Sequence, residues 1–305
     1  MKIDNSHVKK LREQENLAEA NQATVEDAVV DYQLSVENRG HRIDLENLPP
    51  GALSAASRIR CFWHQRTRQD CHTIQLVGRH KPWLLLHRVA QAVALIELEC
   101  LAEQAGTRKT HCSPRQNFQR VLSQFIPAKK DNQRLLKKLL DLSYSVPLEI
   151  VTEVGLTNKF PALEPAQFLD LHRSEAENAR DFSSHGAWKV SPELLLALES
   201  LQGVRALFVD RRFGSTIEHF ARFRGSPAAA RAEEMYVAVE AHISSNPRPG
   251  DHYSLVDRVT GIAGLHGLHD WDTRPVFELE ALVGAGVGAS GTFLMSRPPE
   301  DPWLE

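Results

Sequence analysis

Helical periodicity is the feature of this sequence that most limits its fold. Apolar residues recur about every 3.6 positions, in long stretches of Leu, Ala, Glu and Arg, from one end of the chain to the other. Alternating runs of β-branched residues, which favour strands, hardly occur. The pattern therefore predicts an all-α protein. With 305 residues, of which 42% are hydrophobic, the chain is long enough to bury a core and enclose a cofactor.

The pattern divides into an N-terminal helical arm and a larger helical body. Residues 6–36 are amphipathic and rich in charge, and this helix is expected to end near Gly40. Residues 44–50 read as a linker, because the Pro-Pro-Gly sequence at its end does not continue a helix. We therefore assign residues 1–40 to an arm of the kind that pairs subunits, which predicts a homodimer, and residues 41–305 to a single helical domain.

Proline, glycine and capping residues place the helices of the body. Pro82 opens a helix that Gly106 stops, and Ser113 with Pro114 forms the N-cap and first position of a helix toward residue 125. Further helices are predicted at residues 131–143, 147–155, 164–180, 192–202, 214–224 and 228–243. About half of the 17 glycines follow Asn246, which predicts loops whose backbone approaches a ligand closely.

Charge and composition restrict the classes of function. The formal net charge of −3 arises from interspersed signs without a basic stripe, so we expect no nucleic-acid partner. The N-terminal residues are charged and lack the apolar segment of a signal peptide, and no uncharged run reaches about 18 residues. We therefore expect a cytoplasmic enzyme without membrane contact. The four cysteines contain no CxxC pair, so buried reduced thiols are favoured over a zinc site.

Histidine is abundant, with 14 copies, and imidazole serves both as a general acid or base and as a metal ligand. His87 shares one helix face with the small residues Ala90 and Ala94. That surface suits a flat ring lying against the helix, with His87 in the same cavity; the alternative is a buried histidine paired with a backbone carbonyl. His185 in a loop and His219 between two phenylalanines are candidate metal ligands.

Three further segments contain residues with possible chemistry. His172 lies near two acidic residues and reads as a helix-surface residue in salt bridges. The GLHGLHDWD segment offers imidazoles and carboxylates for a non-heme metal site, namely His266, His269, Asp270 and Asp272. The LVGAGVGASGTFLM segment lacks the βαβ unit of a dinucleotide loop, so it reads as a lid over a ligand, in which Thr292 supplies a hydroxyl.

The LLLH sequence that ends at His87, the helical body and the late Gly291-Thr292 pair together resemble the tryptophan 2,3-dioxygenase superfamily. The heme-dependent aromatic hydroxylases of antibiotic pathways are its most similar branch. The resemblance implies an all-α heme-binding fold, heme b as the cofactor and His87 as the distal catalytic histidine. It places Gly291 and Thr292 over the substrate. His185 matches the proximal iron ligand, and His219 is the alternative.

The resemblance also implies an activity, the hydroxylation of a free aromatic amino acid. L-Tyrosine would be converted to 3,4-dihydroxyphenylalanine by hydrogen peroxide or dioxygen, with heme performing the oxidation. Phe223 occupies the place of a thiol that links heme in some relatives, so we expect non-covalent heme. Two alternatives stay open. One is a tryptophan- or indole-type heme dioxygenase, which the lack of histidine in VFELEALVG disfavours; the other is a non-catalytic, dimeric helical regulator.

Overall fold

Long helices make up most of the structure, which confirms the fold class at that level. The computed structural model describes residues 5–48, 57–64, 69–77, 81–111, 120–124, 130–184, 190–214 and 218–272. The helices are α1 (Asn5–Glu37), α2 (Pro82–Gln104), α3 (Lys130–Lys159), α4 (Glu164–Ser184), α5 (Pro192–Phe213), α6 (Pro227–Ser244) and α7 (Asp251–Ile262). Short 3₁₀ helices cover Pro161–Leu163 and His219–Phe223. None of the described helices is long and apolar enough to cross a bilayer.

Local sequence signals explain the limits of α5 and α6. Ser191 and Ser226 are the N-caps, and their hydroxyl oxygens accept hydrogen bonds from the backbone N–H groups of Leu194 and Ala229. A proline follows each cap at the first helical position, where it needs no hydrogen-bond partner. α5 ends at Gly214, whose φ of 68° lies in the left-handed region that favours glycine.

Four of the helix predictions are wrong. α7 lies where loops were expected, and α5 continues to Phe213 although its end was expected at residue 202. The other two concern α3 and the segment after α5. α3 is one continuous helix where two were expected, with Pro147 inside it. Proline removes one backbone hydrogen bond, but buried residues on both sides of it pack against the body and the helix continues. The predicted helix at 214–224 is instead the short 3₁₀ helix at its end, and residues 215–217 lie outside the described residues. Most of the helix predicted from Ser113 also lies outside them.

A three-stranded sheet was not predicted. It consists of β1 (Arg42–Leu48), β2 (Ser57–His64) and β3 (Gln69–Val77) in the order β1-β3-β2. β1 is parallel to β3 and β2 is antiparallel to it. The reading of residues 44–50 as a linker is therefore wrong for residues 44–48, and residues 49–50 lie outside the described residues. The alternation was missed because a polar residue, His72, takes an inward position beside Ile74 and Leu76 on β3. A second ladder pairs β4 (Thr110–His111) with β5 (Trp271–Asp272).

The N-terminal helix lies against the rest of the chain. Its inner face buries Ala18, Val25, Val29, Tyr32 and Val36, and α1 packs on α2 and α4. Leu17, Val30 and Leu34 on α1 are exposed. The predicted helix at residues 6–36 is therefore confirmed, while the homodimer remains a prediction.

The core consists of two hydrophobic clusters among the described residues. One lies between α3, α5, α6 and α7, and the other joins α1, β3 and α2 to one face of α3. α3 contributes to both, with Val146 and Ile150 in the first cluster and Tyr144 and Leu148 in the second. α2 is covered by α1, α3, α4 and β3, and 14 of its 23 residues are buried.

Candidate metal site

His87 lies on α2 and is fully buried, with a carboxylate at each ring nitrogen. Its Nδ1 is 3.0 Å from Oδ2 of Asp170 on α4, and its Nε2 is 3.0 Å from Oε2 of Glu153 on α3. Burial lowers the pKa of His87, but the charges and hydrogen bonds of the two carboxylates outweigh burial and raise that pKa to about 10. The ring is therefore an imidazolium that donates both of its N–H groups.

The carboxylates of His87 belong to a larger buried network of charges. Arg88 donates from Nη2 to Oδ1 of Asp170 at 2.8 Å and from Nε to Oδ2 at 3.2 Å. Burial alone would raise the pKa of Asp170, but its bonds to His87 and Arg88 lower it. Arg205 Nε lies 3.5 Å from carboxylate oxygens of both Glu149 and Glu175. Paired in this way, the charges hold α2, α3, α4 and α5 together.

The surroundings of His87 correspond to the alternative of a buried, hydrogen-bonded histidine, with carboxylates in place of the expected carbonyl. Both ring nitrogens carry protons, so neither offers the lone pair that a metal ligand needs. Gln91, one turn later, also points into this network and donates to Oε1 of Glu153 at 2.7 Å. A catalytic role for His87 remains a prediction.

His219, the alternative iron ligand, is paired with another histidine. Its Nε2 lies 2.7 Å from Nδ1 of His172. Burial, together with the positive charges of nearby basic residues, lowers the pKa of His172 to about 3 and that of His219 to about 4, so both rings are neutral. His172 is 4% exposed, and its reading as a surface residue is therefore wrong.

The resemblance implies heme, and its first-choice iron ligand, His185, lies outside the described residues. The nitrogens of His87 contact carboxylates, and Nε2 of His219 contacts His172. Gly291 and Thr292 also lie outside the described residues. We derive no step through heme, and the hydroxylase remains a prediction of the resemblance. A Soret band in the absorption spectrum, altered by added tyrosine, is the observation that would support it.

In the GLHGLHDWD segment, the second histidine, His269, packs against other side chains. His269 Nε2 and the Ser143 hydroxyl share a hydrogen bond of 2.9 Å, and the imidazole stacks on Trp271 with ring centroids 5.4 Å apart. His266 is exposed, whereas His269 is buried. These contacts favour a structural role for His269, and the side chain of Asp272 lies outside the described residues.

A different set of metal-binding side chains meets between the sheet and α2. His41 follows the turn after α1, His72 lies on β3 and Cys100 lies on α2. One ligand atom from each of the three falls within 4.8 Å of the others. His41 is 6% exposed, and His72 and Cys100 are 0% exposed.

Backbone geometry brings the two histidines together. Gly40, with φ of 98°, adopts the left-handed conformation that reverses the chain after α1. The next residues enter β1, where Ile43 pairs with His72 of β3. As a result, Nδ1 of His41 lies 3.1 Å from Nε2 of His72. The two nitrogens share a hydrogen bond at this distance. The separation is also close to the roughly 3.3 Å between two nitrogen ligands of a tetrahedral zinc ion with Zn–N bonds of about 2.0–2.1 Å.

Comparisons with known proteins identify no family and no relative of this chain. No protein-family model matches the chain, and no curated protein or solved structure is significantly similar to it. The site must therefore be interpreted from its own chemistry.

The metal-binding set was missed in the sequence because its members lie far apart along the chain. His41 and His72 are 31 residues apart, and Cys100 has no second cysteine at CxxC spacing. The absence of a CxxC pair argues only against zinc sites whose ligands lie within one loop. That argument does not apply to a site whose ligands come from a turn, a strand and a helix. The abundance of histidine was the one signal of it.

Proposed function

We propose that this chain is a zinc-binding protein in which His41, His72 and Cys100 hold one Zn²⁺ ion. The observation that supports the proposal is the convergence of three donor atoms within 4.8 Å in the interior. Two imidazoles and a thiolate are ligands that zinc prefers, whereas Mg²⁺ and Ca²⁺ prefer oxygen ligands. A fourth ligand, water or another side chain, completes the tetrahedral coordination.

The buried position favours a structural ion. Structural zinc sites are closed, while catalytic sites keep an open position for substrate. Zinc at this site would connect the turn after α1, the central strand β3 and helix α2, three segments that only long-range folding brings together. Because the unfolded chain has no preformed site, the free energy of zinc binding would add to the free energy of unfolding.

The first prediction tests the ion directly. We expect the purified protein to bind about one Zn²⁺ per chain, as a three-ligand site requires. At a free zinc concentration of about 100 times Kd, binding should raise the free energy of unfolding by about 2.7 kcal/mol. The measurements are metal analysis, competition with a chromophoric chelator, and thermal unfolding with and without zinc.

Single substitutions assign that binding to the three residues. His72→Ala and Cys100→Ala should abolish tight binding, while the exposed His266→Ala serves as the matched control and should bind like the wild type. Circular dichroism of the zinc-free proteins checks that each variant is folded. Wild-type protein without tight zinc binding, or an equal loss in His266→Ala, would rule out the site.

A further inference from the structure

A carboxylate lies beside the proposed zinc site, at Nε2 of His41. Glu103 is on α2, one turn after Cys100, and its Oε2 lies 3.6 Å from Nε2 of His41. The other ring nitrogen of His41, Nδ1, is the atom that lies 3.1 Å from His72. His41 therefore directs one nitrogen at its partner ligand and the other at a carboxylate.

We propose that Glu103 is a positioning residue for zinc, an inference that rests on the function proposed above. Histidines that bind metals commonly donate their second N–H to a carboxylate, which fixes the tautomer and makes the ligating nitrogen more basic. Glu103 acts on His41 in this way. It favours the tautomer with the proton on Nε2, and this leaves the lone pair of Nδ1 for the ion.

The separation of 3.6 Å is longer than an N–H···O hydrogen bond. Zinc withdraws electron density from the imidazole it binds and makes the remaining N–H a stronger donor. The Glu103 side chain is 42% exposed, so packing does not fix it on all sides. We therefore expect the contact to shorten when zinc binds.

Arg108 contacts the same oxygen from the other side. Its Nη1 lies 2.9 Å from Oε2 of Glu103, so a change at Glu103 also breaks this ion pair. That second contact provides the matched control. Arg108→Ala removes this ion pair and a longer one of 4.0 Å to Glu99, and keeps the carboxylate beside His41. Glu103→Ala removes the contacts with both Arg108 and His41.

The second prediction compares zinc affinities measured by competition with a chromophoric chelator. Glu103→Ala should weaken zinc binding about 10- to 100-fold, the usual effect of losing a carboxylate partner of a metal-bound histidine. Glu103→Gln should lose less, because its amide oxygen still accepts a hydrogen bond. Arg108→Ala should change affinity less than about fivefold, because ion pairs near the surface contribute little. Equal affinities in Glu103→Ala and wild type, or an equal loss in Arg108→Ala, would overturn the proposal.

The tautomer of His41 gives a readout that does not depend on zinc. In the zinc-free wild type, the charge of Glu103 at 3.6 Å should favour a proton on Nε2 of His41, with Nδ1 accepting the hydrogen bond from His72. In ¹⁵N NMR, Glu103→Ala should shift His41 toward the other tautomer. An unchanged tautomer in that variant also overturns the proposal. If wild-type protein binds no zinc, the metal site itself is wrong, and the tautomer measurement still decides whether Glu103 acts on His41.

Discussion

At the scale of single residues, the charges around His87 form a balanced set that extends from the buried core to the exposed Arg222. Four acidic residues face four basic ones through contacts of 3.5 Å or less. The acids are Glu149, Glu153, Asp170 and Glu175, and the bases are His87, Arg88, Arg205 and Arg222. The deeply buried members, such as His87, Glu153 and Asp170, are tolerated as ions only when paired. Removing one partner therefore leaves an uncompensated charge.

The third prediction concerns the pH dependence of stability that His87 confers. The pKa of His87 is raised from 6.5 to about 10 in the folded protein. Its stabilising effect is therefore complete below about pH 6.5 and is lost as the pH rises through about 10. Within that window the free energy of unfolding should fall by up to about 1.4 kcal/mol per pH unit. Urea unfolding from pH 6 to pH 10, with a chelator present, measures this slope.

The variant His87→Gln is the test of this assignment. It should lower the free energy of unfolding at pH 7 by about 3–5 kcal/mol, because Glu153 and Asp170 lose their shared cation. It should also remove the part of the pH slope that His87 causes. The exposed His266→Gln is the control and should keep both the stability and the slope. A wild-type slope that persists in His87→Gln would place the responsible group elsewhere.

At the scale of elements, the contact of α5 with α6 depends on a glycine. A Cβ atom placed on Gly203 would lie 3.0 Å from Cβ of Ala232, with the rings of Phe220 and Phe223 also in contact. Gly203 lies inside α5, where glycine is otherwise unfavourable. Its small size therefore lets the two helices approach.

The fourth prediction uses a second glycine inside a helix as the control. Gly203→Ala should lower the free energy of unfolding by about 1–3 kcal/mol through overpacking. Gly155 is exposed on α3, and a Cβ atom placed on it would meet no neighbouring atom within 4 Å. Gly155→Ala should raise stability by up to about 1 kcal/mol, because alanine is the better helix former. Thermal unfolding of both variants checks the two signs, and a stabilised Gly203→Ala would refute the close packing.

At the scale of the whole molecule, α3 joins the two hydrophobic clusters. It contributes Val146 and Ile150 to one cluster and Tyr144 and Leu148 to the other. Because both faces of one helix are needed, neither cluster keeps its packing when the other is lost. We therefore expect the described helices to unfold in one cooperative transition.

The fifth prediction tests this coupling with one substitution in each cluster. Leu201→Ala and Ile96→Ala each empty a fully buried position and should cost about 2–5 kcal/mol. In each variant, hydrogen exchange under native conditions should show the same decrease in protection for the slowest-exchanging amides of α2 and for those of α5. If Leu201→Ala weakens α5 while α2 keeps its full protection, the two clusters unfold independently.

Local sequence signals were sufficient to predict the helical class and the first residues of several helices. α2 and α5 begin at prolines where their starts were expected, and α6 begins at Pro227, one residue before its predicted start. Capping serines precede α5 and α6. These signals act between residues a few positions apart, so they can be read without knowing the fold. The 3.6-residue period is likewise a property of one segment.

Only the tertiary structure decided which side chains meet. The parallel pairing of β1 with β3 brings His41 to His72, and the packing of α2 beside β3 adds Cys100. The same long-range packing buried His172 and placed carboxylates on both sides of His87. Whether a polar residue is solvated, paired or available to a metal depends on neighbours distant in sequence. Burial and electrostatic pairing act through space, and the periodicity of a single segment therefore carries no record of them.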